Sequence, residues 1–114
     1  MHELSIAQNI VEISEDQVKK HKATGVDKII LQIGELAGIE LDALDFAWEE
    51  AVCNSCLAHA ERKINIVEGK ALCTNCGKAF AMHSLYDLCP TCQSWNNDIV
   101  QGKELKIKSI ELVY

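Results

Sequence analysis

Six cysteines stand in a chain of 114 residues, and all six fall into C-x-x-C pairs: Cys53/Cys56, Cys73/Cys76 and Cys89/Cys92. Two such pairs on separate turns can deliver four thiolates to one ion, and Zn(II) favours that tetrahedron, with Zn–S bonds of about 2.3 Å. In a reducing compartment this spacing points to metal or redox chemistry rather than to a disulfide framework. Cys73, Cys76, Cys89 and Cys92 are the favoured zinc set. Gly77 follows the first pair and can take the positive φ such a turn needs, while Pro90 fixes φ inside the second. About thirty residues bury too little apolar surface to fold alone, so bound zinc is expected to supply much of this module's stability. The spacing leaves one alternative open. Sixteen residues separate Cys56 from Cys73, which also fits a zinc template, against twelve between Cys76 and Cys89. Cys53 continues a helical apolar pattern and Leu57 stands where a turn glycine would be, so Cys53 is expected to pack as a small apolar residue. An auxiliary metal or redox role for Cys53 and Cys56 is the sharper alternative.

The elements that must position these thiols read as follows. Leu4 to about Lys22 carries apolar residues at helical spacing, with Ser5 and Gln8 as a capping box that starts the helix after the first few residues. Val26 to Gly34 is a buried strand, with Ile29, Leu31 and Ile33 on one face. A second helix runs from about Leu41 to about Cys53, and Ile64 and Ile66 mark a second strand. Leu105 and Ile107 have one parity and Ile110 and Leu112 the other, which predicts a bulge or twist near Lys108-Ser109. The expected fold is α+β: two helices packed on a three-stranded sheet, with a zinc-ribbon-like module inserted between the second and third strands. The domains would be residues 1–69 with 98–114, and a zinc-binding domain at 70–97.

Composition narrows the function. With 48% hydrophobic and 25% charged residues the chain reads as an ordinary soluble protein. No apolar run approaches the length of a membrane span, and the stretch Lys28 to Ile33, apolar but for Lys28 and Gln32, is strand-sized. The first residues lack a secretory signal's basic start and apolar core, so the expected location is cytoplasmic. Formal net charge is −6, and between Ala71 and Asn97 the only charges are Lys78 and Asp87, which cancel. A zinc ribbon that binds nucleic acid needs a basic footprint that is missing here. A dithiol oxidoreductase using Cys89-Pro90-Thr91-Cys92 would place that motif at a helix start after a strand, and a neighbouring C-x-x-C favours metal capture instead. No nucleophile–base pair, phosphate loop or carboxylate dyad is present, so no enzymatic turnover is expected.

Several blocks occur in one order along the chain: Met1-His2-Glu3-Leu4-Ser5, Ile33-Gly34-Glu35-Leu36, Leu44-Asp45-Phe46-Ala47-Trp48-Glu49, the two later C-x-x-C pairs, and Gly102-Lys103-Glu104-Leu105 through Ser109-Ile110-Glu111. Together they resemble the hydrogenase nickel-incorporation family, HypA/HybF, over essentially the whole chain. Cys56 departs from that pattern, since a small hydroxyl residue or Gly is more typical nearby. The resemblance implies a nickel metallochaperone for [NiFe]-hydrogenase maturation, with nickel as cargo at Met1, His2 and Glu3 and zinc as a structural ion. It also implies two partners, a hydrogenase large-subunit precursor and a maturation GTPase of the HypB type, and neither nucleic acid nor membrane. The local chemistry is compatible. Ni(II) favours a square plane of nitrogen donors, and the Met1 amine, the amides of His2 and Glu3 and the His2 imidazole can supply four. His83 is a further candidate donor between the zinc pairs, although a solvated loop histidine is the simpler reading. His21 and His59 read as surface residues, Trp48 as core, and Trp95 as a cover for the zinc module.

Overall fold

The computed structural model describes residues 3–114. Eight elements follow in order: α1 (Glu3–Lys20), β1 (Gly25–Gly34), α2 (Leu41–Val52), β2 (Glu61–Val67), β3 (Lys70–Cys73), β4 (Ala79–Ala81), β5 (Asn97–Gln101) and β6 (Leu105–Val113). They form an α+β fold with two three-stranded sheets, ordered β2-β1-β6 and β4-β3-β5. The second sheet was not foreseen, because its strands are only four, three and five residues long, too short for a clear period-2 pattern.

The chain divides into two compact units, and the division falls within β1, β2 and β6. The first holds the described residues through Leu31, then Ile39–Ile64 and Ile107–Tyr114; the second holds Gln32–Gly38 and Asn65–Lys106. The cysteine-bearing unit is therefore wider than residues 70–97.

In the first unit, α1 packs on α2. The buried stripe of α1 is Ile6, Ala7, Ile10 and Ser14, whereas Leu4 and Ile13 remain partly exposed. Ser14 is tolerated there because its hydroxyl donates to the Ile10 carbonyl at 2.8 Å, leaving no buried polar group unpaired. Ser5 is not the cap: α1 has already begun at Glu3. In α2, Leu44, Ala47, Trp48 and Val52 face inward, at helical spacing, and β1 contributes Val26, Ile29 and Leu31. The Arg62 guanidinium lies 5.3 Å from the centroid of the Trp48 ring and pairs with Asp45. Along β6 the exposure pattern changes phase at Lys108-Ser109, so Ile107, Ile110 and Leu112 line one groove with Ile13. The burial pattern thus follows the change of parity in the sequence.

The second unit is built around a close approach of backbone. A Cβ on Gly34 would lie 1.9 Å from the Gly102 carbonyl oxygen, and one on Gly69 would lie 2.0 Å from that of Met82. Leu36 N–H donates to the Gly102 carbonyl at 2.7 Å, and Leu36 then fills a cluster with Ala71 and Met82, flanked by Phe80 and Ile99. The Gly34-Glu35-Leu36 turn thus belongs to the unit that holds the later cysteines. Strand β5 joins β3 in antiparallel register, Ala71 opposite Ile99 and Cys73 opposite Asn97.

Candidate metal centre

Strand β3 ends on Cys73, and the chain turns back at once into β4. The turn is a closed knuckle. Gly77 N–H donates to the Cys73 carbonyl at 2.9 Å, Cys73 N–H donates to the Lys78 carbonyl at 2.9 Å, and Cys76 N–H points at Cys73 Sγ at 3.4 Å. Gly77 has φ +78, as its place after the pair demands. The second pair repeats this design. Gln93 N–H donates to the Cys89 carbonyl at 2.7 Å, and Cys89 N–H donates to the Ser94 carbonyl at 3.0 Å. Here Gln93, at φ +59, takes the left-handed position that Gly77 takes in the first turn. Pro90 lies inside the turn; Gln93 closes it. The equivalence of the two turns was the available signal, since each requires a positive φ just after its second cysteine.

The two knuckles bring all four Sγ atoms within 4.8 Å of one another. Cys73 Sγ lies 3.5 Å from Cys92 Sγ, and Cys76 Sγ lies 3.6 Å from Cys89 Sγ. A regular tetrahedron with Zn–S bonds of about 2.3 Å has edges of about 3.8 Å, so the donor set fits zinc in number, type and spacing. Cys73 and Cys89 are buried, while Cys76 and Cys92 reach the surface. The backbone prepares the thiolates. The Cys92 N–H, with that of Thr91, draws the Cys89 thiol down to about 6 against the opposing effect of burial. Cys92 is lowered by the Asn75 amide, whose Nδ2 lies 3.5 Å from its sulfur, and then by the Ser94 N–H. For Cys76 the Lys78 N–H acts downward, but burial and proton sharing with the other three thiols push it up to about 11. Cys76 is therefore the thiol whose proton zinc binding must displace.

The other expectations divide. His83 does not join the thiols. Its Nδ1 lies 2.9 Å from Glu35 Oε1, which also accepts the Gly69 N–H at 3.2 Å, and Asp87 accepts the N–H groups of His83 and Ser84. The hydrogen bond to Glu35 raises the His83 pKa, and the same bond, followed by the Gly69 N–H, lowers that of Glu35. Trp95 does not cover the module; it is 83% exposed. The expectation that Cys53 packs as a small apolar residue fails, for Cys53 is exposed, while Cys56 is half-buried just past the helix end. The helix ends at Val52, so Cys53 is its C-cap and leaves the inward face. His21 and His59 are exposed and Trp48 is buried, as expected. Of the three expected nickel ligands, Met1 and His2 lie outside the described residues, and Glu3 opens α1.

Comparison with known proteins agrees with this architecture. The family described as hydrogenase/urease nickel incorporation, metallochaperone, hypA matches residues 1–112. The hydrogenase maturation factor HypA of Parabacteroides distasonis is 42% identical over 110 residues, covering 96% of each chain. That of Psychromonas ingrahamii is 42% identical over 112 residues, covering 98% of each. The solution structure of the Ni metallochaperone HypA from Helicobacter pylori superposes with a TM-score of 0.69 at 26% identity, covering 99% of this chain and 98% of that one. With its closed four-thiolate centre and this match along nearly its whole length, the chain belongs to the HypA family of hydrogenase and urease nickel-incorporation metallochaperones.

Proposed function

We propose that the protein carries Ni(II) on Met1, His2 and Glu3 and passes it to the large-subunit precursor of a [NiFe]-hydrogenase, assisted by a GTPase of the HypB type. The observation that carries this reading is the family match across residues 1–112, which includes the Met1-His2-Glu3 segment. Zinc on Cys73, Cys76, Cys89 and Cys92 is structural, because four thiolates leave no open coordination position. Nickel then belongs to the first compact unit, and zinc to the second, in which residues 70–97 carry the four cysteines.

The start of α1 at Glu3 is compatible with amide coordination. The first four N–H groups of a helix have no intrahelical acceptor, so the Glu3 amide is not committed to the helix. Loss of two amide protons makes uptake proton-linked and favoured by rising pH. Their negative charge, with the Glu3 carboxylate, offsets the positive end of the helix dipole. Stepwise replacement of these nitrogens by a competing ligand gives a route for handover. The protein acts as a carrier without turnover of its own. The net charge of −6 gives no basic footprint for a nucleic-acid backbone, and among the described residues no helix is long and apolar enough to cross a bilayer. Cysteines kept as paired thiols suit a cytoplasmic setting.

Calorimetric titration of Ni(II) into the intact protein, the His2→Ala variant and a variant extended ahead of Met1 tests the site. Both changes are expected to abolish tight nickel binding while zinc content stays constant. Equal nickel affinity in all three would sink the terminal site.

A further inference from the structure

Two cysteines stand outside the four-thiol cluster, and their surroundings differ. Cys56 is committed: its N–H donates to Glu15 Oε1 at 3.0 Å, and its carbonyl accepts the Val26 N–H at 3.3 Å. Burial, followed by the charge and hydrogen bond of Glu15, pushes its thiol up to about 11. Cys53, by contrast, is exposed at the C-terminal end of α2 and opens onto a surface cavity of about 570 Å³ whose wall also carries Glu49 and His59.

Three features make this cavity suited to a cation. Glu49 precedes Cys53 by four residues, and both line the cavity at the C-terminal end of α2. Asn54, at φ +62, turns the chain, and bonds from Ala58 N–H to the Ser55 carbonyl and from Leu57 N–H to Ser55 Oγ, both 3.1 Å, hold the segment that brings His59 to the same wall. The electrostatics are unbalanced as well. The last turn of α2 has no basic residue but contains Glu49 and Glu50, which add negative charge to the negative end of the dipole. A bound cation would relieve that repulsion.

We infer that this cavity is a further metal site, in which the Cys53 thiolate, the His59 imidazole and the Glu49 carboxylate bind a borderline divalent cation such as Zn(II), Co(II) or Ni(II). Three protein ligands leave a position open to solvent, the arrangement of exchangeable rather than structural ions. The Cys53 proton passes to solvent on binding, and thiolate and carboxylate together neutralise the ion. Unlike the four thiols, these ligand atoms do not already lie within 4.8 Å of one another, so all three exposed side chains must be drawn in. The site is accordingly weaker than the four-cysteine centre. It is independent of nickel at the N-terminus, where the donors are nitrogens.

The test is a Co(II) titration of full-length protein whose four-cysteine centre already holds zinc, with zinc content followed throughout. A thiolate-to-cobalt charge-transfer band is expected to saturate at about one equivalent, in the wild type and in Cys56→Ser, and to be lost in Cys53→Ser. His59→Ala and Glu49→Gln should each weaken binding by about tenfold or more. Alkylation of Cys53, read by peptide mass, should slow when Co(II) is present. No band in the wild type, a band that survives Cys53→Ser, a band lost in Cys56→Ser, or unchanged affinity in both His59→Ala and Glu49→Gln overturns the inference.

Discussion

The first C-x-x-C pair and the two later ones share a spacing but not a structure. After Cys76 and Cys92 the next residue is left-handed, and each knuckle is closed by two backbone hydrogen bonds that turn both sulfurs toward one point. In the first pair the left-handed residue is Asn54, between the cysteines, so Cys53 and Cys56 separate, one to solvent and one toward Glu15. The residue after the pair decides as much as the pair itself. Gly77 announces this; Leu57 forbids it, since it is buried and makes the next turn instead.

The largest effect expected from this contrast is on folding. Cys73→Ala or Cys89→Ala should release zinc and disorder the β4-β3-β5 sheet, because structural zinc contributes on the order of 10 kcal/mol to small modules. Cys53→Ala should leave zinc in the four-cysteine centre and the amide signals of that sheet unchanged. Equal loss of signals in both classes would show that the first pair does enter the zinc sphere.

A smaller loss is expected at the backbone crossing in the second unit. Gly34→Ala places a methyl 1.9 Å from the Gly102 oxygen and should cost about 2–4 kcal/mol, read as a lower urea midpoint for the second unit. Thiol chemistry should separate the first pair. At pH 7–8 alkylation of Cys53 should outpace that of Cys56 by at least about tenfold, since Cys56 is half-buried and raised to about 11. Comparable rates would mean that Glu15 does not hold Cys56.

Gln93→Gly should stabilise the second knuckle by up to about 1 kcal/mol, by removing the strain of a side chain at φ +59, and should slow zinc loss to chelator. The same change at Asn75, which has no positive φ, should do the opposite. The smallest effect concerns the His83–Glu35 pair. His83 has a raised pKa, so its contribution is full below its ordinary value of 6.5 and fades as pH rises through its folded value. Glu35 has a lowered one, so its contribution is full above 4.5 and fades as pH falls through its folded value. The stability gap between wild type and His83→Ala should therefore be widest between those limits and close at higher pH; a gap independent of pH would exclude the ion pair as its cause.

Much of this was legible in the sequence because it depends on local rules. Periodicity located both helices and β1, the change of parity at Lys108-Ser109 located the phase change in β6, and the spacing of four cysteines with Gly77 located the metal centre. Other features depended on partners distant along the chain. No local signal tells that Glu15 would hold Cys56, that Glu35 would pair with His83, or that Trp95 would stand in solvent while Leu36, Ala71 and Met82 fill the second core. The sequence by itself determined which residues could ligate metal, since donor chemistry and turn spacing are properties of the local chain. Only the tertiary structure decided which of the three identical spacings closes on one point, because convergence depends on the backbone φ after each pair and on the strands that bring two turns together. Cys53, left outside by that geometry, acquired a different set of neighbours in Glu49 and His59.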